Sequence, residues 1–287
     1  MTTTTYAYYP GCTLHSSAKE YDVSARLVCE KLGISLKELE GWTCCGASSA
    51  HTTSELLGIA LPARDLQTAE KMGLPLAVAC AICFSRLKYT AHELTDKAKL
   101  DTVNRLLGTE FGNHTEVVHL LQIMHERRGS MPLKKSLKGL KVASYYGCLL
   151  VRPREVTNFD DPENPEMMDR LMGSLGAQAI EWDFKTACCG ASLPLARHDI
   201  VLKLSHRILS QAKQLGADCV AVACPMCQSN LDMYQKEIEA AYKDKIDLPI
   251  LYFTQLVGLA LELSPKQLLL DKHFADPLPM LKSKGLA

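Results

Sequence analysis

Short apolar runs, most of them ending on a glycine or a cysteine, recur along this chain and alternate with longer stretches of helical periodicity. Residues 6–9 and 142–146 are β-prone runs that end at Gly-Cys, and residues 21–32 carry a helical pattern. Residues 34–39 and 178–182 predict second strands that lead to Cys-Cys-Gly turns, with long helical stretches over 56–72 and 200–215. Residues 76–79 and 220–223 are apolar at nearly every position, as in strands buried on both faces, and residues 117–121 and 250–254 predict fourth strands. Strands alternating with helices around fully apolar central strands predict an α/β fold in which each half is a small, mostly parallel sheet flanked by helices.

The pattern is written twice. Tyr8-Tyr9-Pro10-Gly11-Cys12 answers Tyr145-Tyr146-Gly147-Cys148, and Cys44-Cys45-Gly46-Ala47-Ser48 answers Cys188-Cys189-Gly190-Ala191-Ser192. Ala77-Val78-Ala79-Cys80-Ala81-Ile82-Cys83 answers Ala221-Val222-Ala223-Cys224-Pro225-Met226-Cys227. The offset is 136 residues at the first cysteine and 144 at the other two groups, so a unit of domain size is duplicated. The polar stretch 127–136 contains Gly129 and Pro132 and reads as the linker, which predicts tandem homologous domains over 1–133 and 134–287 related by a pseudo-two-fold axis.

Ten of the twelve cysteines lie in the repeat, five per copy, and five is the number that calls for chemistry. A structural zinc site closes with four ligands and a cubane iron–sulfur cluster also takes four, so a fifth thiol points to a larger soft-metal assembly. A disulfide scaffold belongs to small secreted chains without a core, whereas 287 residues at 47% hydrophobic content bury large cores unaided. Neither a basic, apolar leader nor an apolar segment of membrane-spanning length is visible, and the expectation is a cytoplasmic protein without membrane insertion. Formal charge is zero with both signs mixed along the chain, which argues against nucleic acid as a partner and suits a protein held in a complex.

Each cysteine group is expected just past the C-terminal end of a strand, where loops of an open parallel sheet converge on ligands, and at or near a helix N-terminus that favours thiolates. Gly46 and Gly190 would supply the positive φ that lets two adjacent cysteines face one centre. Cys29 and Cys219 lie outside the pattern and read as small core residues. His15, His51, His198 and His206 lie near the cysteine loops, and the ordinary reading of each is a solvated or hydrogen-bonded side chain.

On these residues the chain resembles the CCG cysteine-rich domain family, from Tyr8 to about Pro279, and the intact pair of motifs in one chain resembles the B subunits of heterodisulfide reductases. The resemblance implies two noncubane [4Fe-4S] clusters, one held by Cys12, Cys44, Cys45, Cys80 and Cys83 and the other by Cys148, Cys188, Cys189, Cys224 and Cys227. It also implies reduction of a disulfide, CoM-S-S-CoB or a bacterial equivalent, between the two clusters. A disulfide needs two electrons and an iron–sulfur cluster delivers one at a time, so a facing pair resolves the mismatch.

No Gly-x-Gly-x-x-Gly turn or flavin site is evident, and the resemblance implies that electrons come from two other members of the heterodisulfide reductase complex, an iron–sulfur subunit with no flavin of its own and a flavin-containing subunit, with a hydrogenase or another input module attached. Arg86, Arg152 and Arg154 lie near the cysteine loops and, with His15, are candidates for binding an anionic substrate. Two other readings stay open: an electron-transfer component of a larger oxidoreductase without a disulfide substrate, and a zinc-stabilised interaction module.

Overall fold

The computed structural model describes residues 3–47 and 50–287. Met1 and Thr2 at the start and Ser48 of the first Cys-Cys-Gly-Ala-Ser segment lie outside them. The first half forms strands β1 (Thr4–Tyr9), β2 (Ile34–Glu38), β3 (Leu76–Val78) and β4 (Val117–His119). The second half forms β5 (Lys141–Tyr145), β6 (Gln178–Ala179), β7 (Cys219–Val222) and β8 (Ile250–Tyr252). They make two separate sheets in the orders β2-β1-β3-β4 and β6-β5-β7-β8, and every strand pairing is parallel. The repeat in sequence is thus a repeat in topology, and the tandem α/β architecture is present.

The central strands β3 and β7 are wholly buried because helices cover both faces, which explains their unbroken apolar runs. Each fully buried aliphatic side chain there contributes about 1.5–3 kcal/mol. The Glu55–Met72 helix starts where Ser54 accepts from the Leu57 N–H at 3.3 Å, and it stops at Gly73 in the left-handed region.

Three expectations from the sequence are corrected. The fourth strands are shorter than 117–121 and 250–254, because helices Leu120–Arg127 and Phe253–Ala260 begin at once. Gln122 and Gln255 reach back to accept the N–H groups of His119 and Tyr252 at 2.8 and 2.9 Å, so the chain turns helical despite apolar residues that read as strand. The second strand of the second sheet is only Gln178–Ala179, since Trp182 turns inward and its Nε1–H donates to the Ser144 carbonyl at 2.9 Å. The stretch 127–136 is also no free linker, because the N–H groups of Lys134 and Lys135 both donate to Ala260 O, at 2.9 and 3.0 Å.

The halves meet reciprocally. Helix Lys19–Lys31 of the first half packs on Phe253–Ala260 of the second, and helix Met167–Ser174, its counterpart in the second, packs on Leu120–Arg127 of the first. Exchange of equivalent elements is the mark of a two-fold relation. At the seam Tyr21 stacks on Tyr252 with ring centroids 4.1 Å apart, and its hydroxyl donates to Ala79 O at 2.7 Å. Ser24 and Thr254 share a buried hydroxyl hydrogen bond of 2.7 Å.

Candidate metal centre

In both halves the first cysteine sits in a short helix immediately after the first strand, Cys12 in Gly11–Leu14 and Cys148 at the start of Cys148–Val151. Cys80 and Cys224 cap the N-termini of helices Ala81–Glu93 and Pro225–Asp232, with Cys83 and Cys227 in their first turns, where the helix dipole favours a thiolate. The Cys-Cys-Gly turns depart from that expectation: they lie in irregular chain, several residues ahead of the next helix. Gly46 and Gly190 do take positive φ, 72° and 93°, as the adjacent cysteines require.

What holds the irregular turns in place is a pair of equivalent tyrosines. Tyr9 Oη donates to the carbonyl of Thr43 at 2.7 Å, and Tyr145 Oη donates to the carbonyl of Ala187 at 2.6 Å, in each case the residue before the Cys-Cys pair. Structurally Tyr9 therefore answers Tyr145, one position from the naive reading of the two Tyr-Tyr segments. A second pair of residues was also missed. Gly11 and Gly147 have φ of 74° and 70°, and a Cβ there would stand 3.2 Å from Cys83 Sγ and 3.0 Å from Cys227 Sγ. The glycine before the first cysteine of each copy was the available signal.

The thiols are gathered by half. Cys45 Sγ lies 3.4 Å from Cys83 Sγ, and Cys189 Sγ lies 3.7 Å from Cys227 Sγ. They share protons unequally: hydrogen bonds from Cys44 and Cys83 pull Cys45 down to about 3, and one from Cys148 pulls Cys188 down to about 6, while Cys44 and Cys148 are pushed up. The two halves also touch, because the buried thiols of Cys80 and Cys224 are hydrogen-bonded to each other across the seam; that bond and burial raise Cys80, while bonds from Cys227 and Cys80 lower Cys224. Among the described residues no three Cys, His, Asp or Glu side chains close on a single metal ion.

A cavity of about 150 Å³ opens on this meeting point. All five cysteines of the first half line it, and so do three pairs of equivalent residues, Thr13 with Leu149, Ala47 with Ala191, and Ile82 with Met226. It is small beside the roughly 300–1,000 Å³ of ordinary ligand pockets. Its walls, five thiols and mostly apolar neighbours drawn from both halves, suit a compact soft-metal group and leave little room beyond it.

Arg86, Arg152, Arg154 and His15 are not among the residues lining this cavity. Arg152 pairs with Glu163 at 2.8 Å and Arg154 is exposed. His15 Nε2 lies 3.0 Å from Glu38. Arg86 is half-buried beside the first thiol group, where its charge helps to hold Cys45 down. His51 Nδ1 lies 3.4 Å from the Gly46 carbonyl, while His198 and His206 pair with Glu237 and Asp244. Cys29 and Cys219 lie away from both groups, and burial pushes Cys29 up to about 12 and raises Cys219 too, so both stay protonated as small core residues.

The cysteine-rich domain CCG matches residues 6–88 and 142–232. The chain belongs to the CCG cysteine-rich domain family. Its two CCG domains coincide with the two sheets and take in all ten repeated cysteines. Over 276 residues the chain is 34% identical to the 8-methylmenaquinol:fumarate reductase membrane anchor subunit of Wolinella succinogenes, covering 94% of this chain and 97% of that protein. It is 27% identical over 281 residues to the B subunit of the ferredoxin:CoB-CoM heterodisulfide reductase of Methanosarcina mazei, covering 94% of each. A crystal structure of a hypothetical protein from Helicobacter pylori matches with a TM-score of 0.79 at 18% identity, a likeness of fold, over 95% of this chain and about half, 52%, of that protein. CCG relatives that are subunits of redox complexes make this chain a component of an oxidoreductase assembly, with the cysteine-rich domains pointing to iron–sulfur cofactors. Among the described residues no helix is long and apolar enough to cross a membrane.

Proposed function

We propose that the chain is the two-centre redox component of a heterodisulfide-reductase-type complex, divided at residues 133/134 into two cluster-binding units. Cys12, Cys44, Cys45, Cys80 and Cys83 would hold one noncubane [4Fe-4S] cluster, and Cys148, Cys188, Cys189, Cys224 and Cys227 the other. The donor set fits, with five soft thiols per half and a glycine in each half, Gly11 or Gly147, leaving free the space beside a ligand sulfur that a Cβ would take. The observation that carries the proposal is the contact of Cys80 with Cys224, because ligands at equivalent positions that touch bring the two centres together.

Bound there, the paired clusters would supply two one-electron donors side by side, and reduction of a disulfide to two thiols consumes two electrons and two protons. The chain's own residues shape where this happens. Ile82, Met226, Leu149 and the two alanines Ala47 and Ala191 make an apolar gap between the thiol groups, which disfavours water. Cys12, Cys44 and Cys188 lie at the exposed edge, where a substrate or a partner protein would approach. Electrons would enter from an iron–sulfur subunit that is fed in turn by a flavin-containing subunit, with a hydrogenase or another input module behind them.

The relative at 34% identity favours a second reading, an electron relay between partner proteins with no disulfide substrate. The two readings separate in the assembled complex after Cys45→Ala and, independently, after Cys189→Ala. Cleavage between two centres requires that each variant lose disulfide reduction while passing electrons to an artificial one-electron acceptor. Near-normal disulfide reduction after loss of either cluster overturns it, and a wild-type complex that reduces the acceptor and none of the tested disulfides supports the relay.

A further inference from the structure

The two thiol groups are built on one plan, but one residue breaks the equivalence electrically. Three positions after the Cys-x-x-Cys of each half stand Arg86 and Asn230, on the matching helices Ala81–Glu93 and Pro225–Asp232. Asn230 is fully buried, and its Nδ2 donates to the Cys189 carbonyl at 3.2 Å, to Cys189 Sγ at 3.6 Å and to the Ala191 carbonyl at 3.1 Å. Arg86 points to the same place in the first half. One Nη donates to the Gly58 carbonyl at 2.8 Å, the guanidinium sits 5.0 Å from the Tyr89 ring centroid, and a Cβ on Gly58 would come within 3.3 Å of it. The buried Nε–H of Arg86 has no hydrogen-bond partner, and no ion pair with a carboxylate engages Arg86 among the described residues. Its charge acts instead on Cys45, whereas the leading influences on Cys189 are other thiols, burial and backbone.

An arginine is charged at every physiological pH, and a partly buried, unpaired charge is weakly screened. Adding an electron to a thiolate-bound cluster adds a negative charge, which a fixed neighbouring cation stabilises and a neutral amide stabilises less. We infer that Arg86 is a positioning charge that makes the N-terminal cluster the higher-potential member of the pair, so that electrons entering the protein come to rest beside Cys45 and not beside Cys189. The inference rests on the two-cluster reading and assigns Arg86 to the cofactor and not to a substrate anion.

The test is an EPR-monitored redox titration of the anaerobically prepared holoprotein, with Cys189→Ala and Cys45→Ala used to assign the signals to the two halves. Arg86→Gln should lower the reduced-to-oxidised ratio of the N-terminal cluster at fixed potential by about tenfold, which for one electron is about 59 mV, and leave the other cluster unmoved. Arg86→Lys keeps the charge and should restore most of that ratio. Equal shifts in both clusters, no shift, or the same shift in Arg86→Lys as in Arg86→Gln overturns the inference. Should Arg86→Gln lose iron, the single-cluster proteins decide: the cluster surviving in Cys189→Ala must titrate above the one surviving in Cys45→Ala, and the reverse order is fatal. Failure of the underlying reading looks different, as a wild-type protein with one set of signals or none.

Discussion

In the first half Tyr9 bonds the carbonyl before Cys44, and in the second Tyr145 bonds the carbonyl before Cys188, with Gly11 and Gly147 clearing the same space beside Cys83 and Cys227. Where the first half has Arg86 and His119, however, the second has Asn230 and Tyr252. The shared residues are those that set where sulfur atoms sit. The divergent ones carry charge, a titratable proton or a hydroxyl, and they cluster at the seam. Duplication thus preserved the geometry of two cradles while their surroundings separated, which is how two equivalent sites acquire unequal roles.

The largest expected effect tests the independence of the halves. Cys45→Ala and Cys189→Ala should each remove about half of the bound iron and leave the other half folded, as measured by iron content and far-ultraviolet circular dichroism, because each half carries its own five thiols. Loss of all iron from either variant would mean that the Cys80–Cys224 contact makes the centres one unit.

Next in size are the glycines. Gly147→Ala and Gly11→Ala force a Cβ into left-handed backbone at about 1–2 kcal/mol each, with the contact to a ligand sulfur added. Gly147→Ala should be the more damaging in urea unfolding, since its nearest sulfur is at 3.0 Å against 3.2 Å for Gly11. Equal, negligible costs would mean that the cradles yield easily.

His119 and Tyr252 separate the halves by pH. Burial holds His119 down at about 4, and its Nδ1 accepts the Leu121 N–H at 3.1 Å, which leaves the proton on an Nε2 without a hydrogen-bond partner. The unfolded chain binds a proton at about 6.5 and the folded one does not, so stability is full above that pH and falls as pH drops toward 4, by about 3 kcal/mol. His119→Asn keeps a capping acceptor and should flatten this slope in urea melts between pH 7 and 4. A slope unchanged by the substitution would place the proton uptake elsewhere. The smallest effects belong to Cys29→Ala and Cys219→Ala, which should keep all the iron and lose only the packing of one buried sulfur, about 1 kcal/mol.

Much of the fold was legible because each strand that builds a cradle ends on its own ligand. The apolar runs before Cys80 and Cys224 could only be central strands, and the glycine after each Cys-Cys pair announced the turn. The helix starts at Leu120 and Phe253 were not legible, since apolar residues after a short strand read as more strand until the reach of Gln122 and Gln255 is known. Nor was the meeting of Cys80 with Cys224, which depends on how the two sheets dock. Arg86 stood out in the sequence only as a cation near a ligand loop, the pattern of a substrate contact. Its counterpart Asn230, reaching Cys189 Sγ, is what identifies the position as one that faces the thiols.

The central claim, that each CCG domain holds its own iron–sulfur centre, is tested most directly by metal and sulfide analysis of the wild-type protein purified without oxygen, with EPR on the reduced and oxidised forms. The account predicts about eight irons per chain with matching acid-labile sulfide and two distinguishable paramagnetic centres. Stoichiometric zinc without acid-labile sulfide, or iron sufficient for one centre only, would contradict it.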